Sequence, residues 1–396
     1  MAQFPQAASE AVIPLSIPAL RGNEWKYLKE CLDTNWVSYV GPFVERFEQE
    51  LAAKVGAKHA VATASGTAAL HICLLLAGVG HDDEVVMPAV TFVAPANAVR
   101  YCGAWPALID ISPNDWQLDV VQLERFLADG CERRGRQLIN KATGRRIAAL
   151  LPVHLLGGMA DVDSVAELAT QYELPLVEDA AECLGATYKG RPISAPCPAC
   201  RGPMRLVITS FNGNKIITTS GGGAIFTDDS SLAAHAKHLT TTAKVDKIEF
   251  LHDEVGYNYR LTNIAAALGV AQLEKLDEYV EIKRGIAARY AEFFKNNPHI
   301  EVHPEPQHCR SIFWMYSLML NRSARPVIDS LNTEGVMSRP IWIPIHKLPA
   351  FSGGAFQFNP TTAESLYRCG LSLPCSVGIT EAQVDRVLHL LNGLVR

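Results

Sequence analysis

The stretch Ser210-Phe211-Asn212-Gly213-Asn214-Lys215-Ile216-Ile217-Thr218-Thr219-Ser220-Gly221-Gly222-Gly223 sets one lysine between small polar residues and a glycine run. About one strand-loop-strand span upstream lies Val177-Glu178-Asp179-Ala180-Ala181-Glu182, where an apolar run ends in carboxylates. Together they suit a pyridoxal phosphate (PLP) site. That chemistry needs a lysine amine to hold the cofactor and an acid facing the pyridine nitrogen. An amine attacks only when neutral, so such a lysine needs burial or nearby positive charge. A lysine beside glycines is also a common solvated loop, but Phe211, Ile216 and Ile217 count against that here.

Outward from this stretch, residues 60–226 alternate short β-rich runs with helical patterns. The runs include Glu84-Val85-Val86-Met87, Pro106-Ala107-Leu108-Ile109-Asp110, Ile147-Ala148-Ala149-Leu150-Leu151-Pro152-Val153 and Leu174-Pro175-Leu176-Val177, with helices expected at 67–77 and 163–172. This alternation predicts an α/β fold with a mainly parallel sheet between helices. Near-continuous apolar strands imply burial on both faces. Residues 263–296 read as one long helix. Beyond it, strands at 316–320 and 337–341 and helices at 326–334 and 380–391 form an α+β pattern. The expected division is a large cofactor-binding domain, 1–280, and a smaller C-terminal domain, 281–396.

Composition limits the function. A chain of 396 residues is too long for one ordinary core. With 48% apolar and 19% charged residues it is a globular chain rather than a disordered one. A net charge of −5 argues against a nucleic-acid partner. No apolar run is long enough to span a membrane, and Met1-Ala2-Gln3-Phe4-Pro5-Gln6 shows no leader pattern. Ten scattered cysteines fit a reduced, cytoplasmic protein.

Other segments extend the candidate site. In Ala64-Ser65-Gly66-Thr67 a strand gives way to a helix, whose first amides suit a phosphate; alone this is equally an ordinary helix cap. Phe92, just past a strand, could stack on a pyridine ring, although most aromatics there are core. Asp179 falls at the C-terminal end of a parallel strand, the edge where ligands collect. There it could keep the pyridine nitrogen protonated, with Glu182 near the ring hydroxyl; without Lys215, a capping pair would explain both acids. Ser210 could hold the phosphate. Gly256-Tyr257-Asn258-Tyr259-Arg260-Leu261-Thr262-Asn263 packs two tyrosines, an amide and an arginine before a helix, more than a cap requires.

These motifs together resemble the DegT-like sugar-nucleotide aminotransferases of the type I aminotransferase fold, from about Ile13 to Leu391. The resemblance implies Lys215 as the cofactor-holding lysine and proton carrier, with Asp179 on the pyridine nitrogen and Glu182 near the ring hydroxyl. It implies Gly66, Thr67 and Ser210 at the phosphate and Phe92 on the ring face. Asn258 would reach the neighbouring subunit's phosphate, which implies a homodimer with shared sites. L-glutamate would be the amino donor and a nucleotide sugar the acceptor. Asn35-Trp36-Val37-Ser38-Tyr39-Val40-Gly41-Pro42-Phe43-Val44, His252-Asp253-Glu254-Val255-Gly256 and Ser338-Arg339-Pro340-Ile341-Trp342 through His346-Lys347-Leu348-Pro349 are similar to the branch serving legionaminic-acid and related surface sugars. That favours a UDP-4-keto-6-deoxy-N-acetylhexosamine, with a GDP-perosamine-type acceptor second. Substrate contacts are expected from Trp36, Tyr39, Tyr259, Arg260, Arg339 and His346.

Two other readings stand beside this one. A PLP-dependent sugar dehydratase would carry histidine in place of Lys215. A non-catalytic regulator could keep the fold and sense a sugar or metal. The chain departs from the family at Arg191–Arg205, a longer loop carrying Cys197 and Cys200. A zinc site needs four ligands and no second pair accompanies these two, so a surface insertion without metal is expected.

Overall fold

The apolar runs become neighbouring strands of one sheet. Its order is His59–Thr63, Gly223–Thr227, Arg205–Ser210, Leu176–Asp179, Arg146–Leu150, Glu84–Pro88, Trp105–Ile109, Phe356–Phe358. In this computed structural model, which describes residues 12–246 and 248–395, the strands from Arg205–Ser210 to Phe356–Phe358 all pair in parallel. The stretch Met1 to Gln6, read above for a leader, lies outside the described residues. Glu84–Pro88, Leu176–Asp179 and Gly223–Thr227 are buried at every position. They sit between helices, which is why their sequences do not alternate. The fold is the expected α/β arrangement with a mainly parallel sheet.

Three features went unread in the sequence. Gly223–Thr227 runs antiparallel to both neighbours. A polar hairpin, Cys131–Arg134 with Gln137–Asn140, joins the sheet beside Arg146–Leu150. The expected single helix at 263–296 is two, Asn263–Leu273 and Leu276–Phe294. The break is tertiary in origin. Gln272 is buried and gives its side-chain amide to the Ala19 carbonyl and to Glu24, while its carbonyl accepts from Thr218. Glu274 is taken up by Asn23 and Tyr27. Helical periodicity continues through the break and conceals it.

A second sheet, Ile300–Val302, Tyr316–Leu320, Gly370–Leu373, Arg339–Pro340, is antiparallel throughout. The strand expected at 337–341 thus shrinks to two residues. Helices Arg325–Thr333, Thr361–Cys369 and Glu381–Leu394 accompany this sheet. Among the described residues no helix is long and apolar enough to cross a membrane.

One close approach links the fold to the site. Gly223 opens the antiparallel strand opposite Thr63 and Ser210. A Cβ added there would lie 2.6 Å from the Ser65 carbonyl and the Gly66 nitrogen. Only glycine lets this strand pass under the start of the helix Gly66–Leu76. Gly223→Ala should therefore cost about 1–3 kcal/mol of stability, read by urea unfolding. A loss below about 0.5 kcal/mol would show that the helix start yields freely.

Candidate active site

Four strand ends meet at the C-terminal edge of the large sheet. Asp179 ends Leu176–Asp179 beside Ile208, Ser210 ends its strand opposite Gly223, and Thr63 leads into the helix that starts at Gly66. They surround a cavity of about 340 Å³. Gly66, Thr67, Phe92, Asp179, Glu182, Ser210, Lys215 and Arg339 all line it, so the structure brings these eight expected residues together.

The other expected residues stand off this cavity's wall. Arg260 stacks on the Tyr39 ring at 3.5 Å. Trp36 is 47% exposed and its carbonyl accepts from the Asn263 amide. Tyr259 stacks on Tyr257, and its hydroxyl lies 3.3 Å from His71 Nδ1. His346 Nε2 pairs with Glu364 at 2.9 Å. Asn258 is exposed, in a β-bridge with Thr241.

The helix start forms a cradle. The Ser65 hydroxyl accepts from the Ala68 amide at 3.0 Å and caps the helix. The first amides of a helix have no partner within it, which leaves donors for an anion. A Cβ at Gly66 would lie 2.9 Å from Ser210 Cβ, so the serine sits directly against this start. Thr91 also faces the cavity; its hydroxyl is buried and has no partner among the described residues. A buried hydroxyl left so costs about 1–3 kcal/mol, which a ligand's polar atom would relieve.

Lys215 follows a turn in which its own amide donates to the Asn212 carbonyl at 2.9 Å. Its amine lies 3.8 Å from Glu182 Oε1 and 4.0 Å from the centre of the Trp314 ring, with 11% of the side chain exposed. Asp179 is buried and accepts from the Ala181 amide at 2.9 Å. Burial raises its pKa, against the Ala181 hydrogen bond and the Lys215 charge. Burial also pushes Glu182 up to about 7, opposed by the Lys215 charge and by the Leu156 amide at 2.9 Å. Two buried acids with one nearby amine make a site that favours added positive charge. Amine, buried acids, helix start and orphaned hydroxyl fit PLP. Lys215 would hold it, Asp179 would face its ring nitrogen, and Gly66, Thr67 and Ser210 would take its phosphate.

Behind Asp179 lies a network unread in the sequence. Glu178 accepts from Arg205 Nε at 2.6 Å and lies 3.1 Å from His154 Nε2. Burial works against its charge, but Arg205 and then His154 hold its pKa at about 2. His154 Nδ1 accepts from the Ala160 amide, so Nε2 carries the proton toward Glu178. Arg205 also donates to the Ala195 and Ile193 carbonyls, at 2.8 and 3.3 Å. The insertion is therefore anchored to the sheet rather than loose on the surface. Its Cys197 and Cys200 are half-buried in one turn, closed by a 3.0 Å bond from the Cys200 amide to the Cys197 carbonyl.

Glu182 allows a test. Its pKa of about 7 lies above the ordinary 4.5, so the folded protein binds this proton more tightly than the unfolded chain. Its contribution is complete below the unfolded value and is lost as pH rises through the folded one. Glu182→Gln cannot ionise. In cofactor-free protein it should gain about 3 kcal/mol over wild type between pH 4 and pH 8. Urea titrations at both pH values check this, and an equal difference at both would refute the assignment.

Comparison with known proteins agrees with this chemistry. Residues 18–392 match the model of the DegT/DnrJ/EryC1/StrS aminotransferase family. A GDP-perosamine synthase of Caulobacter vibrioides is 37% identical, covering 97% of this chain and 98% of its own. A GDP-perosamine synthase of Escherichia coli O157:H7 is 34% identical, covering 96% and 98%. Among solved structures, S. venezuelae DesV superposes with a TM-score of 0.84 at 29% identity, over 94% of each chain. This chain belongs to the DegT/DnrJ/EryC1/StrS aminotransferase family and is a PLP-dependent sugar aminotransferase.

Proposed function

We propose that the enzyme moves the amino group of L-glutamate to the keto carbon of a nucleotide-linked 4-keto-6-deoxy hexose used in bacterial surface polysaccharide, with a GDP-linked, perosamine-type acceptor first. The observation that carries this is likeness over nearly the whole chain to two relatives named GDP-perosamine synthase. It reverses the order drawn from short segments. Of those, Trp36 and Tyr39 stand off the cavity wall, while Arg339 to Trp342 line it. The UDP-linked N-acetylated sugar of the legionaminic-type branch rests on these segments and is the second reading.

PLP, when bound, supplies the electron sink and carries the amino group between substrates. Lys215 Nζ takes and returns the proton on the substrate carbon that bears nitrogen. Asp179 holds positive charge at the ring-nitrogen end of the cavity. Glu182, with a pKa of about 7, can hold or release a proton near neutrality. Phe92, Trp314 and Trp342 wall the cavity with aromatic faces that exclude water. Arg339 is the cation on that wall for a carboxylate or diphosphate.

The proposal includes a homodimer with shared sites. Val37, Tyr39 and Val40, and beyond them Ile248, Phe250, Leu251 and Val255, expose large apolar side chains. Such a surface suits burial against a second copy, and the exposed Asn258 lies near it in sequence. The proposal keeps the division at residue 280, supported by the separate antiparallel sheet. Phe356–Phe358, which rejoins the large sheet, makes the smaller part discontinuous. All ten cysteines are free, in keeping with a reducing cytoplasm.

Single turnover distinguishes the acceptors. Enzyme loaded with the amino form of the cofactor is mixed with each ketone, and return of the visible band is followed. A GDP-4-keto-6-deoxy hexose should react fastest, the UDP-linked N-acetylated sugar at least about tenfold slower in kcat/KM. Fast return with pyruvate or oxaloacetate, and none with any keto-sugar nucleotide, would refute the proposal. The shared site has its own test. Lys215→Ala and Asn258→Asp, each inactive alone, should recover activity when mixed and exchanged, because one site per mixed dimer holds both intact residues. No recovery in proven heterodimers would place Asn258 in its own subunit's site.

A further inference from the structure

Trp314 precedes the strand Tyr316–Leu320 of the smaller sheet, yet its side chain serves the lysine loop. Its indole N–H donates to the Asn214 carbonyl at 2.7 Å, one residue before Lys215. The centre of its ring is 4.0 Å from Lys215 Nζ. Glu182 Oε1 stands 3.8 Å from the same nitrogen. An aromatic face and a carboxylate both favour an ammonium at that point.

The indole is itself held in place. Trp314 is 3% exposed. The buried Lys283 amine donates to the Trp314 and Cys375 carbonyls, both at 2.8 Å. Trp342 stacks nearly parallel, at 10° and 6.4 Å between ring centres. Gly157, at φ +101°, passes so close that a Cβ would lie 2.4 Å from the Trp314 nitrogen. Its neighbour Leu156 donates the amide that Glu182 accepts. One short loop thus sets both groups that meet the amine.

We propose that Trp314 is the positioning residue of Lys215: its N–H fixes the lysine's backbone, and its ring face holds the amine beside Glu182 whenever that amine is free and charged. This rests on the reading of Lys215 as the cofactor-holding lysine. Each half of an aminotransferase cycle releases that amine and needs it back within reach of the substrate carbon. The ring face keeps it there.

The test replaces Trp314 site-specifically with tryptophans carrying one to about four ring fluorines, which keep shape and N–H while draining the ring face of electron density. In cofactor-free protein, a small acylating reagent labels Lys215, and peptide mass spectrometry compares it with the exposed Lys29. Labelling should quicken with each fluorine, to about three- to tenfold in total. In loaded enzyme, kcat of the glutamate half-reaction should fall in the same order, with KM changing less than about twofold. A flat labelling series overturns the proposal. Trp314→Phe keeps a ring face and should label within about twofold of wild type, whereas Trp314→Leu should label like the most fluorinated form. Equal labelling of the Phe and Leu variants would also overturn it, and if the Leu variant does not fold the fluorine series decides alone. Borohydride reduction of loaded enzyme shows separately whether Lys215 carries the cofactor. If another lysine is tagged, the functional reading falls, while the labelling series still judges the contact with Trp314.

Discussion

Two adjacent carboxylates on one buried strand set the conditions for the rest of the site. Successive side chains of a strand point to opposite faces, so Glu178 and Asp179 must be satisfied separately. Glu178 is answered within the chain by Arg205 and His154, which hold it ionised. Asp179 has an amide at 2.9 Å, and burial raises its pKa. The fold meets one charge with its own cation and turns the other toward the cavity. Asp179 is thus suited to a cationic ligand atom, which is the role of a protonated pyridine nitrogen. The Arg205 pairing also fixes the insertion, because the same guanidinium holds the Ile193 and Ala195 carbonyls.

Lys215 obeys the same logic from the other side. The sequence suggested that this amine needs burial or nearby positive charge. The structure supplies the burial, but its neighbours are a carboxylate and an aromatic face. The arrangement is that of an amine at rest. Trp314 and Glu182 hold it close, and Glu182, raised to about 7 by burial, can take or release a proton near neutrality.

Much of this was legible in the sequence because the motifs are contiguous. Ser65 to Thr67, Glu178 to Glu182 and Ser210 to Lys215 each sit at a strand end, and a parallel sheet gathers strand ends along one edge. Trp314 and Thr91 were not legible. Trp314 stands just before a strand of a different sheet, about a hundred residues past the lysine. Thr91 is distinguished only by the absence of a partner, which is a property of the packed chain. The antiparallel strand Gly223–Thr227 was hidden because fully buried strands look alike in either direction.

The residues that stood off the cavity share a physical character. Arg260 lies flat on Tyr39, with its Nε buried and without a partner among the described residues, and Trp36 stands exposed three residues before Tyr39 in sequence. Large apolar side chains are exposed on either side of it in sequence, at Val37 and Val40 and again at Val255. A monomer would leave this surface wet and that nitrogen unsatisfied, at a cost of about 1–3 kcal/mol for the nitrogen alone. A second copy would cover the surface and could bring the group against the partner's cavity. In the proposed homodimer, segments far from their own chain's site would serve the site of the other subunit.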